Sequence, residues 1–172
     1  MEGYAISLSR TILAVLCAVA VSYATEASDN QDLVEKLLHA LRPVPDFKRQ
    51  ENVSAVIKEF KAHGLVPSRP QRVEYTDFYP LLKRAKVFGH DLVLIEEEYM
   101  TKFIGCCVNE GGGLVLRING ALDKLENWAK ANQCRIEQFR DEKEFLGYYF
   151  VRFAVPPGAY ARVSCRVRDE ER

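Results

Sequence analysis

The stretch that most limits what this chain can become lies near its end, where Ala159, Ala161, Val163, Cys165 and Val167 alternate with Tyr160, Arg162, Ser164 and Arg166. Successive side chains along a strand point to opposite faces, so a period of two commits this stretch to a β-strand with one apolar face. One strand cannot hide such a face, and a sheet with a covering layer is required. Phe145 to Val155, joined to it by Pro156-Pro157-Gly158, is predicted to be its hairpin partner. Leu92 to Ile95 is a further apolar run of strand length. Phe103 to Val108 is expected to pair with Leu114 to Ile118 across a five-residue loop, Asn109-Glu110-Gly111-Gly112-Gly113. In that reading the three glycines are a flexible hairpin tip, since they neither open a helix nor precede the Lys-Ser/Thr of a phosphate loop. Cys134 to Phe139 is read as one more strand.

A covering layer is present in the first half. Leu33, Val34, Leu37, Leu38 and Leu41 recur at helical spacing behind Ser28-Asp29-Asn30, and Pro43 stops the run. A second helix is expected from an Asp46 cap, with Val53, Val56, Ile57 and Phe60 on one stripe and Gly64 as its stop. Pro67 and Pro70 then extend the chain, Arg72 to Thr76 reads as a short strand, and Asp77 to Pro80 reads as a turn. After Asn119-Gly120, a third helix has Leu122, Leu125, Trp128 and Ala129 on its buried stripe. The expected fold is therefore α+β: two N-terminal helices, a mainly antiparallel sheet and one helix inserted between hairpins. Its first part, residues 25–86, reads as helical and its second, 87–172, as sheet-rich.

Residues 1–24 stand outside that domain. A polar start ending at Arg10 leads into the apolar run Thr11 to Val21 and then Ser22-Tyr23-Ala24, the layout of a cleaved secretory signal peptide. The apolar run falls short of the roughly 20 residues that span a bilayer, so no membrane span is expected after cleavage. The mature chain, 25–172, is expected to be secreted or periplasmic.

Export gives the remaining cysteines a meaning. Cys106, Cys107, Cys134 and Cys165 are four in number, which in an exported chain suggests disulfides. A bond between neighbours is unsuited to a strand, so one of Cys106 and Cys107 is expected to join Cys134 and the other Cys165. Each bridge would contribute on the order of 2–4 kcal/mol. Adjacent cysteines lack the spacing of a redox or zinc motif.

Charge excludes some functions and leaves others open. With 24 Lys+Arg against 24 Asp+Glu, the chain lacks the basic excess on which nucleic-acid affinity depends, and no nucleic-acid partner is expected. A 48% hydrophobic content at zero net charge also excludes disorder. The charge is nevertheless uneven: residues 42–86 carry ten basic and five acidic side chains, whereas 87–110 carry one and five. Such a division either steers a partner or draws two parts of one fold together.

Three functional readings follow. The leading one is a binding or inhibitor-like protein without catalytic activity. Tyr160, Arg162, Arg166 and Arg168 lie opposite the apolar face of the last strand, and Tyr148 and Arg152 lie in its expected partner. Guanidinium groups beside aromatic rings suit an anionic glycan or a carboxylate-rich protein. The second is a small hydrolase or thiol-dependent enzyme using His90, Glu96, Glu98 and Cys106, with Glu96 and Glu98 about 6–7 Å apart on one strand face. A solvated strand end explains Glu96-Glu97-Glu98 more simply. The third is an envelope or extracellular assembly component that pairs through a sheet edge. No motif calls for a cofactor or a metal. Asn52-Val53-Ser54 is a glycosylation sequon in a eukaryotic setting.

Overall fold

The computed structural model describes residues 30–43, 53–98, 111–149, 152–166 and 169. Two helices begin it. Helix α1, residues 30–40, buries Leu33, Val34, Leu37 and Ala40 along one side, with Leu41 just beyond. Helix α2, Val53–Ala62, buries Val53, Val56, Ile57 and Phe60. Gly64 ends it with φ of +64°, a conformation open to glycine without steric cost. That turn lets the Leu65 and Gly64 N–H groups donate to the Phe60 and Lys61 carbonyls, at 2.9 and 3.0 Å, closing a Schellman motif.

Seven strands form one sheet: β1 (Gln71–Val73), β2 (Thr76–Pro80), β3 (Lys86–Val87), β4 (His90–Glu98), β5 (Gly111–Arg117), β6 (Arg135–Phe139) and β7 (Tyr160–Arg166). Their order is β1-β2-β4-β5-β7-β6, with β3 also paired to β4, and every pairing is antiparallel. The fold class is α+β, as the hydrophobic periods implied. The sheet takes in residues from Gln71 onward, so three short strands belong to the stretch expected to be helical. Asp77 to Pro80 is strand rather than turn, because the reversal occurs earlier, at Glu74 with φ of +52°.

Helix α3, Asp123–Ala131, lies where its stripe predicted and buries Leu125 and Ala129. It carries the chain from β5 to β6 and leaves room between them for β7, the final strand. Helices α1, α2 and α3 cover one face, against Tyr79, Ile95, Leu114, Leu116, Ala161, Val163 and Cys165. On the opposite face, Phe78, Leu94, Val115, Phe139 and Tyr160 pack with Phe145.

Phe145 comes from a fourth helix, α4 (Glu142–Tyr149), and this corrects the expected terminal hairpin. Local capping outweighs strand propensity here. The Asp141 carboxylate accepts the Glu144 N–H at 2.9 Å, and Glu144 accepts the Arg140 N–H at 2.8 Å, a reciprocal arrangement that starts a helix. Residues 152–156 then run as an irregular strap, and β7 pairs with β5 and β6 instead.

The glycines are corrected as well. Gly111, Gly112 and Gly113 are strand residues of β5, paired to Arg166, Cys165 and Ser164 of β7. Phe103 to Val108 and the Asp46 cap lie outside the described residues.

Candidate functional site

Two of the arginines expected on an outer face, Arg162 and Arg166, are inside the protein. Arg162 gives Glu96 a two-pronged hydrogen bond, Nε to Oε1 and Nη2 to Oε2 at 2.7 Å each, and its Nη1 reaches Glu137 at 3.2 Å. Arg166, fully buried, donates to Glu96 at 3.1 Å, to Glu98 at 3.0 Å and to Ser164 at 2.8 Å. The Asp169 carboxylate accepts from Ser164 Oγ and from the Arg166 backbone N–H. Glu96 and Glu98 do share a face, but a buried one, which corrects the solvated strand end. Burial alone would raise the Glu96 pKa; the charges of Arg162 and Arg166, with their hydrogen bonds, reverse this and hold the carboxyl below its ordinary range.

Gly113 makes this network possible. Arg162 and Arg166 stand on β7, Glu96 and Glu98 on β4, and β5 runs between them. Gly113 occupies the crossing point, paired to Glu96 on one side and Ser164 on the other. A Cβ there would lie 2.7 Å from the Val163 carbonyl oxygen and 3.0 Å from Glu96 Oε2. With no side chain at Gly113, the guanidinium groups reach across β5. Glu96 and Glu98 of the acidic run are thus met inside the fold by arginines of β7 rather than by the basic stretch of residues 42–86.

The other expected binding residues are dispersed. Tyr160 is buried, its ring 5.5 Å from that of Phe145 and its hydroxyl donating to the Pro156 carbonyl. Burial pushes that hydroxyl's pKa up to about 12, against the opposing charge of Arg117 and with help from Glu142 and Asp91. Tyr148 is 63% exposed on α4, and Arg152 is exposed at the start of the strap, its backbone N–H held by Gln71 at 2.8 Å. Arg168 lies outside the described residues. The basic-aromatic face is therefore not presented as a surface, because its central arginines are consumed by glutamates of the same sheet.

The hydrolase set is not assembled either. His90 is buried, its Nδ1 accepting the Asn119 N–H at 3.0 Å, and it lies at the opposite end of β4 from Glu96 and Glu98. Six residues along a strand span about 20 Å, far beyond the reach of a proton shared between side chains. Cys106 and Cys107 lie outside the described residues. Cys134 and Cys165 are at bonding distance from each other, with Cα atoms 4.4 Å apart, which overturns both expected pairings. Register is the reason: Arg135 pairs with Ser164, so the next position sets Cys134 opposite Cys165.

The arrangement best suited to a partner was not among the candidates. A cleft of about 660 Å³ opens beneath the connection from β2 to β3. Residues 81–85 arch away from the sheet, tied down by Leu81 N–H to Val93 O and Leu92 N–H to Ala85 O, both 2.9 Å, and by Leu82 N–H to Leu65 O at 2.7 Å. An irregularity in β4 between Leu92 and Leu94 widens the sheet there. Residues 154–156 of the strap form the far wall, and Arg117 and Asn119 close one end.

Positive charge dominates this lining: Lys83, Arg84, Lys86 and Arg117 face one carboxylate, Asp91. Asp91 Oδ2 accepts from Arg117 Nη2 at 2.5 Å, and Lys86 stands 3.9 Å away. A hydrogen bond from Asn119 leads the effects that hold the Asp91 carboxyl below its ordinary range, and Arg117 and Lys86 add to it against a modest burial penalty. Arg84 and Lys86 are exposed, and Arg84 has no carboxylate partner among the described residues. The signal was present in the basic excess of residues 42–86; what the sequence lacks is the strap, which comes from 70 residues away.

An antiparallel sheet covered by three helices on one face, with a cleft lined mainly by cations, defines an α+β protein. The chain matches no protein-family model, and no curated protein or solved structure matches it significantly. Among the described residues, no helix is long and apolar enough to cross a membrane, and no three His, Cys, Asp or Glu side chains are grouped to hold a metal ion.

Proposed function

We propose that this is an exported, non-catalytic binding protein that engages an anionic partner at the cationic cleft. Export is supported by the signal layout of residues 1–24 and by Cys134 and Cys165 at bonding distance, a pairing suited to an oxidising compartment. Binding is supported by one observation above the others: Arg84, Lys86 and Arg117 line the cleft against Asp91 alone, even with Lys83 left out. The arginines of β7, by contrast, are neutralised within the fold. A partner that brings negative charge compensates the excess and is drawn to it over a Debye length of roughly 8 Å at physiological salt.

The test uses polyglutamate as the probe. The double variant Arg84→Glu/Lys86→Glu is expected to bind it at least ten times more weakly at 0.15 M salt, with the melting temperature lowered by no more than about 4 °C, because both side chains are exposed and the Lys86–Asp91 pair is a surface one. Equal affinity for the wild type and the double variant would remove the cleft from consideration.

A further inference from the structure

The chemistry of the cleft narrows its ligand, on the reading that the cleft is the binding site. Its lining is mixed, with polar and apolar surface in comparable amounts: Leu81, Val93, Val155 and Pro156 lie among the cations. A volume of about 660 Å³ falls in the range of small-molecule sites and far exceeds the roughly 30 Å³ share of one water, so an inorganic anion would leave it mostly unfilled.

The positive charge is also localised. It lies on the arch and on Arg117, and Lys86 and Arg117 converge on one carboxylate, that of Asp91, with Arg117 Nε and Nη2 on one oxygen. The remaining guanidinium N–H groups of Arg117, with Arg84 and Lys86, form a second place for a carboxylate beside the first. The geometry points to a small amphipathic carboxylate as the ligand, its apolar body on Val93 and Val155 and its single head group between Arg84, Lys86 and Arg117. Burial of the body supplies affinity without direction, while the cations fix the orientation and discriminate against a neutral molecule of the same shape.

The probes are decanoate below its micelle concentration, decanol, acetate, polyglutamate and vesicles containing phosphatidylserine, each titrated against the full exported protein. Two variants accompany them: Arg84→Glu/Lys86→Glu removes the head-group site, and Ala154→Trp fills the cleft from an exposed position on the strap. Decanoate is expected to bind at least tenfold more tightly than decanol, with no measurable acetate binding. Either variant is expected to weaken decanoate at least tenfold, with the melting temperature lowered by no more than about 4 °C.

Equal binding of decanol and decanoate would overturn the inference, as would full decanoate affinity in Ala154→Trp. Vesicle binding that decanoate does not displace would do so in favour of a membrane surface. Polyglutamate binding without decanoate binding would overturn the amphipathic ligand and leave the anion-binding function standing. Failure of both probes would remove both.

Discussion

Replacing Gly113 by alanine tests the central structural argument with a single methyl group. The added Cβ would meet the Val163 carbonyl oxygen at 2.7 Å and Glu96 Oε2 at 3.0 Å. The first contact is with backbone in a paired strand, and the second is with a carboxylate held by two arginines, so neither neighbour can withdraw freely. Overpacking of this kind costs typically 1–3 kcal/mol, and displacement of Glu96 weakens an ion-pair network whose outright breaking costs about 3–5 kcal/mol. A loss of about 3 kcal/mol is expected, which for a chain of this size lowers the melting temperature by about 6–12 °C. Gly147 in α4 is the control. A Cβ there meets nothing within 4 Å, and the residue is helical and exposed, so Gly147→Ala should stabilise the protein by about 0.5–1 kcal/mol. Differential scanning calorimetry of the two variants measures both signs. A Gly113→Ala protein that melts within about 2 °C of the wild type would refute the claim that an empty crossing point on β5 is required.

Two further outcomes follow from the same interior. The folded-state pKa of Glu96 is depressed, so its contribution is present above the unfolded value of about 4.3 and is lost as pH falls through the folded value. Stability should therefore rise with pH across the acidic range, and Glu96→Gln should be less stable at neutral pH by about 3 kcal/mol with a flatter profile below pH 4; parallel urea profiles for the two proteins would contradict this. Reducing the Cys134–Cys165 bond opens a loop with a sequence separation of 31 residues. Chain entropy assigns such a closure about 3–4 kcal/mol, so melting with reductant should occur about 7–15 °C lower, and an unchanged midpoint would show that the bridge constrains little.

Strong hydrophobic periods carried most of the element assignments. Leu33 to Leu41, Val53 to Phe60 and Leu122 to Ala129 are helices because their apolar residues fall on one side at a period near 3.6, and Tyr160 to Arg166 is a strand because its period is two. These patterns belong to single segments and need no partner to be read. The failures are of another kind. Phe145 to Tyr149 is aromatic enough for a strand, yet Asp141 and Glu144 cap it as a helix, and that local signal was outweighed by the apparent hairpin at Pro156-Pro157-Gly158.

The sequence by itself determined the fold class, the covering helices and the alternation of β7, because each depends on spacing within a few residues. Tertiary structure alone decided which strands are neighbours, and with them the meaning of the charges. Arg162 and Arg166 on one face of a strand read as an outer face until Gly113 lets them reach Glu96 and Glu98 across β5. Cys134 finds Cys165 only through the register of β6 on β7. The cleft exists only because a strap from residues 154–156 returns beside the arch of residues 81–85. Each is a contact between segments distant in sequence, settled by packing and register rather than by local preference.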